Sequence, residues 1–333
     1  MRELMFVDAV REAQAEALES DPRAFLIGQE IGRYGGVYRA TEGLYERFGP
    51  ERVRDTPIAE ESMIGLAIGA AAVGARPIVE VMFMDFLACG IDALVNHGAK
   101  MRYMSGGQFR VPLVIRTQGG SGSHHGCQHS QMLESWLVHV PGINVVVPST
   151  PTDVKGLFRT AMAVEDPVVV VEQRFLYRTT GVVDDDDRAI PFGQGVVRRS
   201  GGDVTLVAVA RMVHQALAVA ERLAGEGISV EVIDLRTLVP MDIDLVVESV
   251  SRTHRLVVAH ESVQRGGWGG EVIAEVAARC FDQFDAPPMR AATTAVPIPF
   301  AAELEEQMIA DEHLLERRIR ECLGLVAVEA DVR

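Results

Sequence analysis

Short apolar stretches alternate with helical segments along most of the chain, and this order constrains the fold more than any other feature. Residues 25–28, 77–82 and 111–116 are mostly apolar stretches of strand length, and segments with helical spacing separate them. Strands and helices that alternate in this way predict a parallel sheet with helices on both faces. We therefore expect an α/β fold in which the reactive loops follow the carboxyl ends of the strands.

A run of four carboxylates, Asp184 to Asp187, interrupts this pattern, and a strand at 204–209 restarts it. We predict a first domain over residues 1–183, a linker over 184–200 and a smaller second domain over 201–333. The strands of the second domain are rich in valine and lack alternation, as expected for a parallel sheet covered on both faces. Each domain is thus predicted to be a mostly parallel sheet flanked by helices.

Charge and composition exclude several classes of function. The net charge of -15 argues against nucleic acid or an anionic membrane surface as the main partner. We expect no membrane span, because no stretch of about 18 consecutive apolar residues occurs. Four scattered cysteines and an N-terminus that opens directly into a helical pattern predict a cytoplasmic protein with reduced thiols and no signal peptide.

Glu60 is the first candidate for a catalytic residue. Thr56 is predicted to cap a helix and Pro57 to be its first residue, so that Glu60 falls in the first turn. The following residues are small and apolar, which is typical of a helix that is buried or packed against another subunit. A carboxylate at this position either stabilises the helix dipole, worth roughly 0.3–1 kcal/mol, or takes part in catalysis. The pattern alone leaves both interpretations open.

A second candidate region follows the strand at 111–116. Three histidines and a cysteine occur there within six positions: His124, His125, Cys127 and His129. Their spacing fits no usual structural zinc site. One histidine could instead donate a proton or stabilise an oxyanion, because the neighbouring glycines let the backbone approach a ligand. The alternative is a loop of surface histidines before a predicted helix at 128–138.

Other positions carry weaker signals. Met82 and Phe86 follow a buried strand, where most residues belong to the core and only a partner motif would make them a ligand wall. His260 and Glu261 end a strand of the second domain, where such a pair is more often structural than catalytic. The chain contains no P-loop and no strand–GxGxxG–helix unit, and it lacks a diphosphate–magnesium motif after Gly202. A nucleotide cradle of the common types is therefore not expected.

Several stretches, taken in their order and spacing, resemble a known family. They are residues 25–28, 55–60, 76–80, 100–107, 128–131, 141–142, 153–157 and 234–242. The family is the beta subunit of the thiamine-diphosphate-dependent decarboxylating component of 2-oxo acid dehydrogenase complexes, of the pyruvate, branched-chain and acetoin types. The resemblance runs from about residue 5 to residue 325. It implies a transketolase-like pyrimidine-binding domain followed by a transketolase C-terminal-like domain.

The resemblance also implies cofactors, partners and roles for individual residues. The family forms an α2β2 heterotetramer with thiamine diphosphate at the α/β interface, and the alpha subunit holds the diphosphate and magnesium. The acid that matches Glu60 hydrogen-bonds a ring nitrogen of the aminopyrimidine and so promotes formation of the ylide. Met82 and Phe86 match residues that pack against this ring. His129 matches a histidine near the reaction centre, which stabilises the decarboxylated intermediate or assists acyl transfer to a lipoyl group.

A potassium ion and two departures from the family pattern complete the implied picture. The ion would bind backbone carbonyls around four residues, Ala161, Met162, Val164 and Asp166. Cys89 stands where pyruvate-type relatives have a glutamine. Ala295 stands where many relatives carry an acid that helps to hold the subunit-binding domain of the acyltransferase core. The sequence therefore does not determine whether this chain docks to an acyltransferase core.

The implied function is decarboxylation of a pyruvate-like 2-oxo acid with reductive acylation of a lipoyl domain, in an enzyme that is active only with an alpha subunit. One alternative is an acetoin-type dehydrogenase subunit, and another is a two-carbon ketol or acyl transferase that acts on an acyl carrier protein. A non-catalytic scaffold subunit is the alternative from a different class. The sequence does not choose the 2-oxo acid or the acceptor, and the roles of His124, His125 and His260 stay open.

Overall fold

A computed structural model describes residues 1–183 and 188–328. The chain divides into two compact units. The first comprises Met1–Gly119 with Trp136–Phe192, and the second comprises Gly120–Ser135 with Gly193–Arg333. The run Asp184 to Asp187, which was interpreted as part of a linker, lies outside the described residues, and the predicted bounds 1–183 and 201–333 stay a prediction.

The first unit is built on parallel strands, as predicted. Its strands are β1 (Arg2–Met5), β2 (Ala24–Gly28), β3 (Val53–Asp55), β4 (Arg76–Val81), β5 (Val114–Gly119), β6 (Asn144–Val146), β7 (Val168–Gln173) and β8 (Thr180–Val183). Six of them lie side by side in the order β6-β7-β5-β4-β2-β3, and each neighbouring pair is parallel. β1 and β8 form a separate antiparallel pair. Because β2, β4 and β5 are parallel neighbours, the residues that follow them leave from one edge of the sheet.

The helices up to residue 192 differ from the predicted ones in extent, and α2 was not predicted. They are α1 (Phe6–Ser20), α2 (Leu44–Phe48), α3 (Glu60–Ala72), α4 (Ala99–Met104), α5 (Glu134–Val138) and α6 (Pro151–Ala163). Between β4 and β5 the chain forms a 3₁₀ segment, Met84–Gly90, followed by a π turn, Ala93–Gly98, and then by α4. The sequence predicts one continuous helix over 86–103, and this expectation is wrong. The predicted helix at 128–138 is wrong in length, since only α5 is helical there.

The start of α3 also differs from the prediction. Thr56 does not cap the helix, because the residue at the cap position is Ala59, which has no side-chain cap. The Thr56 N–H instead donates to the Gly28 carbonyl at the end of β2, and its hydroxyl contacts Met63 Sδ. The first helical hydrogen bond runs from the Met63 N–H to the Ala59 carbonyl, so the helix begins at Glu60. Pro57 therefore lies in the extended segment before the helix. The correction moves Glu60 from the interior of the first turn to the first position of α3.

A buried ion cluster lies within the first unit. Arg116 on β5 is 1% exposed and binds Glu172 through two hydrogen bonds of 2.8 and 2.7 Å. Its third contact is with Glu80, at 2.7 Å, and the Tyr177 hydroxyl donates to Glu172 as well. Burial raises the pKa of the Glu80 carboxyl, and Arg116 opposes this effect. Buried charges are tolerated when they are paired in this way, so the cluster joins three neighbouring strands across the sheet.

The second unit contains the other predicted sheet. Its strands are β9 (Val196–Arg199), β10 (Val204–Ala208), β11 (Val230–Asp234), β12 (Thr237–Val239), β13 (Leu256–Val263) and β14 (Met289–Thr293). Five of them pair in the order β14-β13-β10-β11-β9, all parallel except β9. β9 lies inside the predicted linker 184–200. The helices are α7 (Arg211–Ala224), α8 (Ile243–Thr253), α9 (Gly269–Cys280), α10 (Ala302–Met308) and α11 (Glu312–Cys322). The two mostly parallel α/β sheets confirm the predicted fold class.

Candidate active site

Glu60 is a buried acid at the start of an apolar helix. Its side chain is 7% exposed, and Oε1 accepts a hydrogen bond of 2.9 Å from Gln29 Nε2. Gln29 directly follows β2, so the end of that strand carries the donor. Within residues 1–183 and 188–328, Gln29 is the only side chain that donates to this carboxyl. A buried carboxyl with one oxygen engaged by a single donor retains capacity for a further hydrogen bond.

The 3₁₀ segment that carries Phe86 packs against the first turns of α3. A Cβ placed on Gly90 would lie 2.5 Å from Ile64 Cδ1 and 3.2 Å from the Glu60 carbonyl oxygen, so a larger residue there would require the Ile64 side chain and the start of α3 to shift. Phe86 is half-buried, and its ring packs edge-on against Phe83 at 5.5 Å. Met82 is half-buried directly after β4. The predicted ligand wall thus consists of partly accessible apolar side chains next to the helix of Glu60.

The histidine loop belongs to the second unit, and a buried acid holds it there. Glu305 on α10 is fully buried, and its two oxygens accept the N–H groups of Gly122 and His124 at 2.7 and 2.9 Å. His124 Nδ1 lies 2.7 Å from the same carboxylate, and the ring is 45% exposed. His124 has a φ of +58°, a left-handed conformation that costs energy for a residue with a Cβ. These three contacts stabilise it.

The other members of the loop are more accessible. His129 is half-buried, and its N–H donates to the Gly126 carbonyl at 3.4 Å. His125 is exposed, with Nδ1 3.2 Å from the Ser123 hydroxyl. Among the residues that the structure describes, no three His, Cys, Asp or Glu side chains come together as metal ligands. His129 stays the predicted reactive member of the loop.

The far end of the same loop is held by Trp268. Its indole Nε1 donates to Glu134 Oε1 at 3.1 Å, and its N–H donates to the Ser135 hydroxyl at 3.1 Å. Burial is the main reason that the pKa of the Glu134 carboxyl is raised to about 7, and the nearby Glu261 adds to the rise. Sequence reasoning missed Glu134 and Trp268, and it gave no signal for Glu305 either.

His260 has a structural environment. Its Nδ1 lies 2.9 Å from the Ser262 carbonyl, and its ring lies 5.2 Å from that of Trp268. Burial lowers the pKa of the His260 imidazole to about 4, which keeps it neutral at physiological pH. A Cβ on Gly267 or Gly269 would lie 2.4 Å or 2.7 Å from ring atoms of His260. The glycines around Trp268 thus allow the backbone to enclose this imidazole.

The carbonyls predicted to bind potassium already have a cationic neighbour. Arg76 Nη1 donates to the carbonyls of Met162 and Val164 at 2.7 and 3.2 Å. A guanidinium at this distance repels a second cation and occupies part of the acceptor capacity of both oxygens. Potassium at Ala161, Met162, Val164 and Asp166 therefore stays a prediction, and the Arg76 contacts disfavour it.

Comparisons with known proteins agree with the two-unit architecture. Residues 2–180 match the family described as the transketolase pyrimidine binding domain, and residues 193–313 match the transketolase C-terminal domain. The chain is 40% identical over 323 residues to the 2-oxoisovalerate dehydrogenase subunit beta of Bacillus subtilis (strain 168), which covers 96% of this chain and 99% of the relative. It belongs to the beta subunits of 2-oxo acid dehydrogenases.

Two further comparisons fit this family. The pyruvate dehydrogenase E1 component subunit beta of Gracilaria tenuistipitata var. liui is 39% identical, with 93% of this chain and 96% of the relative covered. The solved structure of a split gene transketolase, described as an inactive beta4 tetramer, superposes with a TM-score of 0.79 at 24% identity, and the match covers 97% of this chain and 99% of that chain. At that identity, the similarity concerns the fold alone. The family resemblance inferred from the motifs of this beta subunit is thus confirmed.

Proposed function

We propose that this beta subunit, together with an alpha subunit, forms a thiamine-diphosphate-dependent dehydrogenase that decarboxylates a 2-oxo acid and acylates a lipoyl group. The observation that carries the proposal is the buried Glu60 carboxyl, held by Gln29 at the first position of α3. Its relatives are named for 2-oxoisovalerate and pyruvate dehydrogenases, so the substrate is a small 2-oxo acid. Cofactor, magnesium on the alpha subunit and the α2β2 assembly are parts of this proposal.

Glu60 would act by sharing a proton with a ring nitrogen of the aminopyrimidine. Gln29 engages Oε1 and so orients the carboxyl, which leaves Oε2 to face a ligand. A carboxyl held close to a ring nitrogen is placed to share a proton with it. Bound thiamine diphosphate supplies the thiazolium carbon acid that attacks a 2-oxo acid. Met82 and Phe86 would hold the pyrimidine ring by apolar contact and keep water away from the carboxyl.

His129 would act on the substrate side of the reaction. It is half-buried in a loop that is held at both ends by hydrogen bonds. An imidazole in this position would donate a proton to an oxyanion and take it back later in the cycle. In the proposed reaction it assists acyl transfer to the lipoyl group. His125 and His260 have no part in this proposal.

The surface of α3 supports a second polypeptide as partner. Leu66 on α3 and Val73 directly after its last residue are 55% and 86% exposed. Apolar side chains on a continuous face are typical of a protein interface. Within residues 1–183 and 188–328, no helix has the length and hydropathy that a membrane crossing requires. All four cysteines are free, which agrees with the reducing compartment of the proposed cytoplasmic location.

The test uses the chain co-expressed with its alpha partner. Glu60→Gln keeps the size and the contact with Gln29 but cannot share a proton, and we expect kcat to fall by about 100-fold or more with assembly intact. Glu61→Gln, an exposed neighbour on the same turn, is the matched control and should retain activity. Wild-type turnover in Glu60→Gln would refute the role of Glu60. Failure of the assembled wild-type complex to bind thiamine diphosphate would instead favour a scaffold subunit.

A second candidate function keeps the cofactor and changes the acceptor to an acyl carrier protein. Ala295, at the position where many relatives have an acid, favours it, because the acid helps those relatives to dock on an acyltransferase core. Parallel assays with a lipoyl domain and an acyl carrier protein decide between the two. Acylation of the lipoyl domain alone would reject the second candidate.

A further inference from the structure

The loop that carries His129 is tethered at both ends within the second unit. At the first end, Arg211 Nη1 donates to the Ser121 carbonyl at 3.2 Å, and the Gly122 N–H donates to Glu305. At the second end, Trp268 binds Glu134 and Ser135. His129 lies five residues from His124 and five from Glu134, midway between the tethers. The position of His129 therefore depends on how firmly each tether is held.

Glu305 is the strongest of these tethers. It is fully buried, and it receives two backbone N–H groups and one imidazole nitrogen from the same loop. A carboxylate only accepts hydrogen bonds, so these three donors match its chemistry without a proton on the acid. Hydrogen bonds to a charged acceptor are the strong class, and a buried one is shielded from competing water.

The same carboxylate fixes the tautomer of His124. When Nδ1 donates to Glu305, the proton of the neutral ring is on Nδ1 and the lone pair is on Nε2. The ring is 45% exposed, so this oriented imidazole is accessible at the loop surface. Carboxylates that orient a histidine through Nδ1 are a recurring arrangement in catalytic and metal sites.

We propose that Glu305 is a positioning residue, which sets the conformation of residues 122–129 and the tautomer of His124, and through them the position of His129. The inference rests on the proposed function for its catalytic consequence. Its structural part concerns only contacts within the second unit. Two other acids on α10, Glu303 and Glu306, are exposed to solvent. The proposed role is therefore specific to the buried acid, Glu305.

Glu305→Gln tests the structural part directly on the full-length chain. One carboxylate oxygen becomes an NH2 group, which opposes a loop N–H donor instead of accepting its hydrogen bond. We expect amide hydrogen exchange at 122–129 to rise by about tenfold or more, while exchange in β10 and β11 stays unchanged. We also expect the ¹⁵N shifts of His124 to report a change toward the Nε2-protonated tautomer. Glu306→Gln is the matched control and should change neither signal.

The catalytic consequence of the proposal is tested by kinetics of the complex assembled with the alpha subunit. A positioning role predicts that Glu305→Gln lowers kcat by about tenfold with little change in KM or in thiamine diphosphate affinity. If Glu305→Gln does not fold, Glu305→Asp keeps the charge, shortens the reach and should show the same changes to a smaller degree. His124→Asn tolerates the left-handed backbone and retains the backbone contacts with Glu305, so exchange should rise less than in Glu305→Gln.

The outcomes separate this inference from the proposed function. Exchange and tautomer signals equal to those of Glu306→Gln would overturn the inference, whatever the activity. Raised exchange with an unchanged kcat would overturn the positioning role. An inactive wild-type complex would instead reject the proposed function, and the exchange data would still decide whether Glu305 holds the loop.

Discussion

Glu134 Oε1 accepts a hydrogen bond of 3.1 Å from the indole of Trp268, and both side chains are almost fully buried within the second unit. Burial is the main cause that raises the pKa of this carboxyl to about 7, from an ordinary value of 4.5. Ser262 and Trp268 counteract the rise by hydrogen bonding, and Glu261 adds to it. A buried acid with this pKa makes folding depend on pH.

The sign of the dependence follows from linkage. A carboxyl whose pKa is raised on folding binds more protons in the folded state between pH 4.5 and about 7, so its contribution to stability is present below 4.5 and is lost as pH rises to 7. Glu134→Gln keeps the acceptor for Trp268 and cannot ionise. Relative to wild type, we expect it to gain free energy of unfolding between pH 5 and pH 8, by up to about 3 kcal/mol.

Urea unfolding at several pH values measures this difference. Glu271→Gln, an exposed acid on α9, is the control and should follow the wild-type profile. Parallel profiles for wild type and Glu134→Gln would show that Glu134 is ionised in the folded protein throughout this range.

Gln29 provides a second prediction, at the proposed cofactor site. Gln29→Met removes the donor to Glu60 and keeps the approximate volume of the side chain. We expect kcat to fall by roughly tenfold or more, because the carboxyl loses the hydrogen bond that orients it. Steady-state kinetics of the assembled complex give the result. Gln108→Met, at an exposed position, is the control and should have the kcat of wild type. Equal kcat values for Gln29→Met and Gln108→Met would show that Gln29 does not orient Glu60 for catalysis.

The sequence predicts the burial of Glu60 but not the start of its helix. The small apolar residues after Glu60 indicate a packed helix, and the structure agrees. The predicted cap at Thr56 is wrong because the helix begins only at Glu60, and Thr56 lies in an extended segment whose N–H is bonded to Gly28 at the end of β2. Local helix propensity does not include this hydrogen bond between Thr56 and Gly28, because the bond forms only together with the sheet.

Glu305 could not be found for a related reason. It occurs in the stretch Glu303-Leu304-Glu305-Glu306, which is typical of a solvated helix face. Only the fold shows that one of these acids is buried and faces backbone N–H groups of a loop about 180 residues earlier in the chain. By contrast, the glycine at 142 could be foreseen as a family position, and a Cβ there would lie 2.1 Å from the Ala99 carbonyl.

The ion cluster at Arg116 yields a prediction about stability. Arg116→Met leaves Glu80 and Glu172 buried without a cation, and breaking such a pair costs about 3–5 kcal/mol. Chemical denaturation measures the loss. Arg110→Met, which breaks an exposed pair with Glu165, should cost less than about 1 kcal/mol. Neutralising both acids in Arg116→Met/Glu80→Gln/Glu172→Gln should restore part of the loss, and no recovery would mean that packing, rather than charge, sets the cost.

Arg76 supplies the last prediction, which concerns potassium. The guanidinium donates to the carbonyls of Met162 and Val164, so it competes with any cation for the same oxygens. We expect the melting temperature of the wild-type chain to be equal in potassium, sodium and choline chloride at equal concentration. Arg76→Gln removes the charge, and we expect its melting temperature to rise with potassium concentration, because a ligand that binds only the folded state stabilises it. A potassium-specific rise in wild type would instead mean that the ion binds beside Arg76, as the family resemblance implies.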